Sequence, residues 1–228
     1  MTEPCGLTPE RVRETVGDAD GILEVADDGE LTIWNRDGTR AEMSGNGTRI
    51  AARWLGERTD RSVVRLRVGP REVVARILGG DEVEQDVGEV RVGQTETVAG
   101  VELIVVDVGN PHAVVLGDPD DVSHLGPLLE SHPRFPNRTN VQVARIDAPG
   151  EVSARVWERG VGETSASGTS AVAVAAATHA DGDVVVHFPG GDLHVRLEGG
   201  RASLRGPAAP VDESSPNRPD PLEAPALP

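Results

Sequence analysis

Cysteine is nearly missing from this chain: among 228 residues there is one, Cys5. A lone thiol closes no internal disulfide, and the amino terminus has neither the basic start nor the apolar run of a secretory signal, so a reducing cytoplasm is the expected setting. Tyrosine is absent and phenylalanine occurs only twice, which leaves Val, Leu, Ile, Ala and three Trp to build the core. No apolar stretch approaches the ~20 residues that a membrane span needs; the most apolar run, Ala171 to Ala177, is far shorter. Nor is there a Lys/Arg cluster. The 22 basic residues face 38 acidic ones for a formal charge of -16, which removes the electrostatic footprint for nucleic acid or an anionic membrane. The sequons at Asn46 and Asn137 carry no meaning without secretion.

What is present is a repeat. Trp34, Arg36, Ser44 and Gly45 recur at the same spacing, 123 residues on, as Trp157, Arg159, Ser167 and Gly168. A duplicated half that delivers a Ser-Gly pair to the start of an apolar run implies two similar lobes facing each other, with the site between them. At 24.0 kDa the chain is long enough for two small lobes.

Most of the chain alternates in short runs bounded by Gly, Asp and Pro. This predicts strands at 22–25, 31–34, 63–68, 73–78, 101–108, 113–116, 141–146, 152–157, 184–188 and 193–197. Helical spacing is clearest from Thr48 to Leu55, where Ile50, Ala51, Trp54 and Leu55 share a face opposite Arg49 and Arg53. Its second copy, Ser170 to Thr178, is apolar nearly all round, as a helix enclosed by sheet would be. Thr8 to Val16, with Pro9 in the first turn, and Val122 to Glu130 add shorter helices. The expected fold is therefore α+β, two pseudo-symmetric lobes, each a curled, mostly antiparallel sheet around a central helix. Residues 1–93 form the first lobe and 94–205 the second. Residues 206–228 hold seven of the 17 prolines and read as a disordered tail, with Val211 and Leu222 as the residues through which it would dock.

The Ser-Gly turns Ser44-Gly45-Asn46-Gly47-Thr48 and Ser167-Gly168-Thr169-Ser170 each precede a helix. Free backbone N–H groups and the positive end of the helix dipole point out of such turns, which suits a carboxylate, and glycine lets the ligand approach the backbone. The plainer reading makes both serines N-caps. Neither turn reads Gly-x-Ser-x-Gly, which disfavours a nucleophilic serine hydrolase.

The segments 42–49 (EMSGNGTR) and 158–169 (ERGVGETSASGT) resemble the two signature segments of diaminopimelate epimerase, a cofactor-independent amino-acid epimerase. Gly109-Asn110-Pro111-His112 and Arg138-Thr139-Asn140-Val141 resemble two more, so the likeness runs from about Leu7 to about Pro207. The resemblance implies a cytoplasmic isomerase of lysine biosynthesis converting LL- to meso-diaminopimelate, with a small carboxylate substrate, no cofactor, no metal, and a homodimer as partner arrangement. It places Ser44 and Ser167 where the family has its two proton-transferring cysteines. Asn35, Asn110, Asn140, Glu158 and Arg159 match residues that grip the substrate, and Gly45, Asn46, Gly168 and Thr169 match the cradle of the reacting carboxylate. His112 matches a histidine beside the reaction centre. Without the family, His112 would pass for a structural residue, Glu158 and Arg159 for a surface ion pair and Asn35 for a turn residue.

Two departures shape the functional expectation. A hydroxyl is a far weaker acid than a thiol, whose reference pKa is about 8.5, so either a base such as His112, Glu158 or Glu163 acts through or beside the serines, or the substrate has a more acidic C–H bond, or the site no longer catalyses. The family also begins with a strand and a Gly-x-Gly-Asn-Asp-like segment, which the sequence before Leu7 does not show. The sheet edge this leaves is expected to be covered by a partner, by residues 1–7 or by the tail. The alternative functions are a ligand-binding protein without turnover and a dehydratase or double-bond isomerase.

Overall fold

The computed structural model describes residues 6–209. The chain order is α1 (Pro9–Thr15), β1 (Gly21–Val25), β2 (Leu31–Asn35), α2 (Gly45–Thr59), β3 (Val63–Val68), β4 (Arg71–Gly79), β5 (Glu82–Glu89), β6 (Arg91–Val98), β7 (Val101–Asp107), β8 (Pro111–Leu116), α3 (Val122–Glu130), β9 (Asn140–Ala148), β10 (Glu151–Glu158), β11 (Gly162–Thr164), α4 (Gly168–Thr178), β12 (Gly182–Phe188), β13 (Gly191–Glu198) and β14 (Arg201–Pro207). Strands β1 and β2 form a small antiparallel sheet. The other strands form one open, 12-stranded sheet in the order β3-β4-β5-β14-β13-β12-β10-β9-β8-β7-β6, with β11 on β10. Its pairs are antiparallel except β10 with β12 and β8 with β9. The architecture is the α+β arrangement expected, a predominantly antiparallel sheet with two central helices.

Each helix has its own core. Helix α2 packs Ala51, Ala52 and Leu55 against Val25, Leu31 and Ile33 of the small sheet and Val64, Leu66, Val73, Ala75 and Val83 of β3 to β5. Helix α4 has eight buried residues, Gly168 to Ala175, set among apolar side chains of β7 to β10 and β12 to β14. An all-apolar helix is stable only when enclosed in this way. Strand β9 is buried on both faces over residues 140–144, because Ala144 faces α4 while Val141 and Val143 face a third cluster around α3.

Three sequence expectations change. Arg49, assigned to the polar face of its helix, is 3% exposed, whereas Ile50 is 38% exposed. Strands β5, β6, β11 and β14 carry no strong apolar alternation and are not among the expected strands. Gly206 and Pro207, expected in the tail, are the last residues of β14, and Ala208 is buried beside α2. Strand β14 bonds β5 on one side and β13 on the other, so the last strand among the described residues ties the two halves together. Met1 to Cys5 and residues 210–228, with Val211 and Leu222, lie outside the described residues. Leu7 donates its backbone N–H to Glu24 Oε1 at 3.3 Å.

Candidate active site

The duplicated segments fold alike. Ser44 and Ser167 are the N-caps of α2 and α4 with nearly equal extended backbones, φ -142° and -145°. The tryptophans of the repeat are also anchored alike, Trp34 Nε1 donating to Glu24 Oε2 at 2.6 Å and Trp157 Nε1 to Glu130 Oε2 at 3.0 Å. The two helix starts abut. A Cβ built on Gly45 would stand 2.7 Å from Gly168 Cα, and one built on Gly168 would stand 2.8 Å from Gly45 Cα, so only glycine permits the approach at either position. Two sets of free helix N–H groups therefore meet at one point.

That point is the floor of a cavity of about 430 Å³ lined by Ser44, Asn46, Ser167, Gly168 and Thr169, with Asn35 and Glu158 on its walls. Leu23, Trp34, Ile50 and Val161 add apolar lining. The serines are not equivalent. Ser44 Oγ accepts the Gly47 N–H at 3.0 Å, an ordinary cap. Ser167 caps nothing with its side chain and lines the cavity together with Glu158. Desolvation by burial raises the pKa of the Glu158 carboxyl. The Thr164 hydroxyl, which donates to Oε1 at 2.7 Å, and the Ser167 hydroxyl, a weaker second donor, oppose the rise.

The remaining expected residues stand behind the cavity. His112 is fully buried and burial holds its pKa down to about 3, so the ring is neutral. Its Nδ1 accepts from Gln142 Nε2 at 3.0 Å, and Nε2 donates to Asn110 Oδ1 at 2.9 Å. Asn110 reaches the cavity wall through Thr169 Oγ1 at 3.4 Å. Asn140 binds Pro111 O with its amide and accepts the Arg159 N–H at 2.9 Å. The Arg159 guanidinium faces Glu42 across the lobes at 3.1 Å. The structure thus brings Asn35, Ser44, Asn46, Glu158, Ser167, Gly168 and Thr169 to one surface with Gly45 wedged beneath. It sets Asn110, His112, Asn140 and Arg159 around that surface rather than on it.

Sequence reasoning missed the layer below the floor. The Gly45 carbonyl accepts from Arg49 Nη1 and from Gln85 Nε2, both at 3.1 Å. The Thr48 hydroxyl holds Gln85 Oε1 at 2.6 Å. Gln85 sits on β5, which the apolar pattern did not reveal, and Arg49 passes for a solvent-facing arginine until β14 is laid over it.

Among the described residues no cluster of three or more His, Cys, Asp or Glu is arranged to hold a metal ion, and no helix is long and apolar enough to cross a membrane. A family profile described as diaminopimelate epimerase matches residues 104–209. The chain is 38% identical over 229 residues to the diaminopimelate epimerase of Desulforudis audaxviator, covering 87% of this chain and 81% of that one. It is 37% identical over 215 residues to that of Heliobacterium modesticaldum, covering 78% and 75%. Among solved structures, a Pseudomonas aeruginosa protein described as a predicted epimerase superposes with a TM-score of 0.69 at 18% identity, covering 91% of this chain and 88% of that one. A hydroxyproline epimerase from Agrobacterium vitis superposes with a TM-score of 0.61 at 16% identity, covering 82% and 71%. These two share the fold. Four-fifths of a relative's length matched at better than one residue in three places this chain in the diaminopimelate epimerase family of isomerases.

Proposed function

We propose that the protein moves a proton at the α-carbon of an amino acid, with LL-diaminopimelate as the substrate, and that Ser44 and Ser167 work on opposite faces of that carbon. The observation that carries this reading is the abutment of Gly45 and Gly168, which turns two helix starts toward one cavity with a serine on each side. The N–H groups of both turns hold the reacting carboxylate. Ser167 Oγ takes the α-proton as it passes its own to Glu158. Ser44 Oγ–H delivers a proton to the other face, and its oxygen is steadied by the Gly47 N–H. Before the next turnover Glu158 releases its proton to water and Ser44 recovers one from water. The raised pKa of Glu158 makes it a stronger base than an ordinary carboxylate, which suits it to accept the Ser167 proton. The 228 residues contain no lysine, the amine that would anchor pyridoxal phosphate, which supports a cofactor-independent route. In the same reading Asn110, Asn140 and Arg159 close on the substrate, His112 orients Asn110, residues 1–93 and 94–205 act as the two lobes, and the protein works in the cytoplasm as a homodimer.

The test is deuterium uptake at the α-carbon of LL-diaminopimelate in deuterated water, read by mass spectrometry. Uptake that disappears in Glu158→Gln supports the reading; no uptake at any enzyme concentration overturns turnover. The second reading, a carboxylate-binding protein without turnover, is favoured by the hydroxyls at both thiol positions. It predicts calorimetric binding of diaminopimelate with no uptake.

A further inference from the structure

We propose that Arg49 is the positioning residue that charges the carboxylate cradle, fixing the Gly45–Asn46 peptide and lending its positive charge to the two helix starts above it. This rests on the reading of the paired Ser-Gly turns as one anion site. Arg49 is almost wholly enclosed, 3% exposed. Its three guanidinium hydrogen bonds go to uncharged oxygens: Nη1 to Gly45 O at 3.1 Å, Nη2 to Asn46 Oδ1 at 2.8 Å and Nε to Pro207 O at 3.4 Å. Among the described residues it forms no ion pair, and Glu82 acts on it only at longer range. A Cβ on Gly168 would stand 3.0 Å from Nη1, so the cation reaches the seam between the helix starts.

This is an adverse place for a cation. Buried charges are ordinarily neutralised by a partner, and the N-terminal ends of helices repel positive charge. Burial lowers the arginine's pKa to about 10, which leaves it charged at neutral pH. The arrangement becomes favourable once an anion sits on the opposite side of the Gly45 peptide. Because that peptide is planar, anchoring its carbonyl on Arg49 and Gln85 aims the Asn46 N–H the other way, and Asn46 lines the cavity. Arg49 never touches the ligand in this scheme; it acts through the peptide and through its field, which is strong in a medium of low dielectric.

The experiment compares calorimetric binding of LL-diaminopimelate with binding of its diamide, which keeps the shape and removes both carboxylates. Two variants are used. Arg49→Met removes the charge at similar length. Gln85→Glu keeps Arg49 and gives it a carboxylate partner, since both side chains already meet at Gly45 O. Each variant is expected to weaken diaminopimelate at least tenfold and to move the diamide by less than twofold, with Arg49→Lys recovering part of the loss. Equal losses for both ligands, or none for either, overturn the proposal. If Arg49→Met does not fold, Arg49→Gln, which removes the charge but keeps an amide donor within the same pocket, is read in the same way. Should the unaltered protein fail to bind diaminopimelate, the cradle itself falls and Arg49's role with it. Normal binding by the unaltered protein and by Gln85→Glu overturns Arg49's role only.

Discussion

Gly45 and Gly168 touch through their backbones, each leaving no room for a β-carbon on the other. Gly168→Ala would set a methyl 2.8 Å from both Gly45 Cα and Leu204 Cδ2. The leucine can turn away but the glycine backbone cannot, so the two helix starts must separate. The expected cost is about 1–3 kcal/mol of stability in urea unfolding, together with at least tenfold weaker diaminopimelate binding. Unchanged binding in the folded variant would show that the abutment is not the cradle.

Restoring thiols tests the faces separately. A thiol supplies far more anion at neutral pH than a hydroxyl, so Ser44→Cys and Ser167→Cys should each speed the step for which that residue is the base, by on the order of 10²-fold. In deuterated water, exchange from the L centre and from the D centre should respond to different single variants, and the double variant should interconvert both quickly. The same response to either variant would contradict opposite-face placement.

The positions just discussed were legible because their signal is local: serine, glycine and an apolar run within a few residues announce a helix start, and the duplication doubles the signal. The supporting layer was not legible. Gln85 lies 40 residues from Gly45 on a strand whose exposed face is Glu and Asp, so nothing in its neighbourhood singles it out. Arg49 was misassigned for a related reason. Periodicity reports which face of a helix is polar, but not that a later strand will cover that face, and Gly206 and Pro207 in β14 read as the opening of a tail. His112 was found through the family pattern, yet its burial between Asn110 and Gln142 depends on β8 pairing parallel to β9, which brings His112 beside Asn140.

His112 gives the protein an acid-sensitive element. Its pKa is held down to about 3 by burial, while in the unfolded chain it returns to about 6.5. Below pH 6.5 the unfolded state binds a proton that the native ring refuses, so stability falls as pH falls, by about 1.4 kcal/mol per pH unit, until the native ring titrates near the lower value. Urea unfolding should therefore show the wild type losing about 2 kcal/mol more than His112→Asn between pH 6.5 and 5. Parallel losses in the two proteins would mean that the ring protonates in place.

The Glu42–Arg159 contact separates a stability role from a substrate role. At 3.1 Å, with the two side chains 61% and 24% exposed, the pair belongs to the class worth about 0–1 kcal/mol, so Glu42→Gln should leave the melting temperature nearly unchanged. Arg159, relieved of its carboxylate, then becomes available to a second anion at the cavity edge. If the substrate carries a carboxylate at each end, Glu42→Gln should tighten diaminopimelate several-fold while leaving an amino acid with one carboxylate, such as norleucine, unaffected. Arg159→Gln should reverse that preference by weakening diaminopimelate alone. Equal effects on both ligands would place the far end of the substrate away from Arg159 and remove the main support for a dicarboxylate substrate.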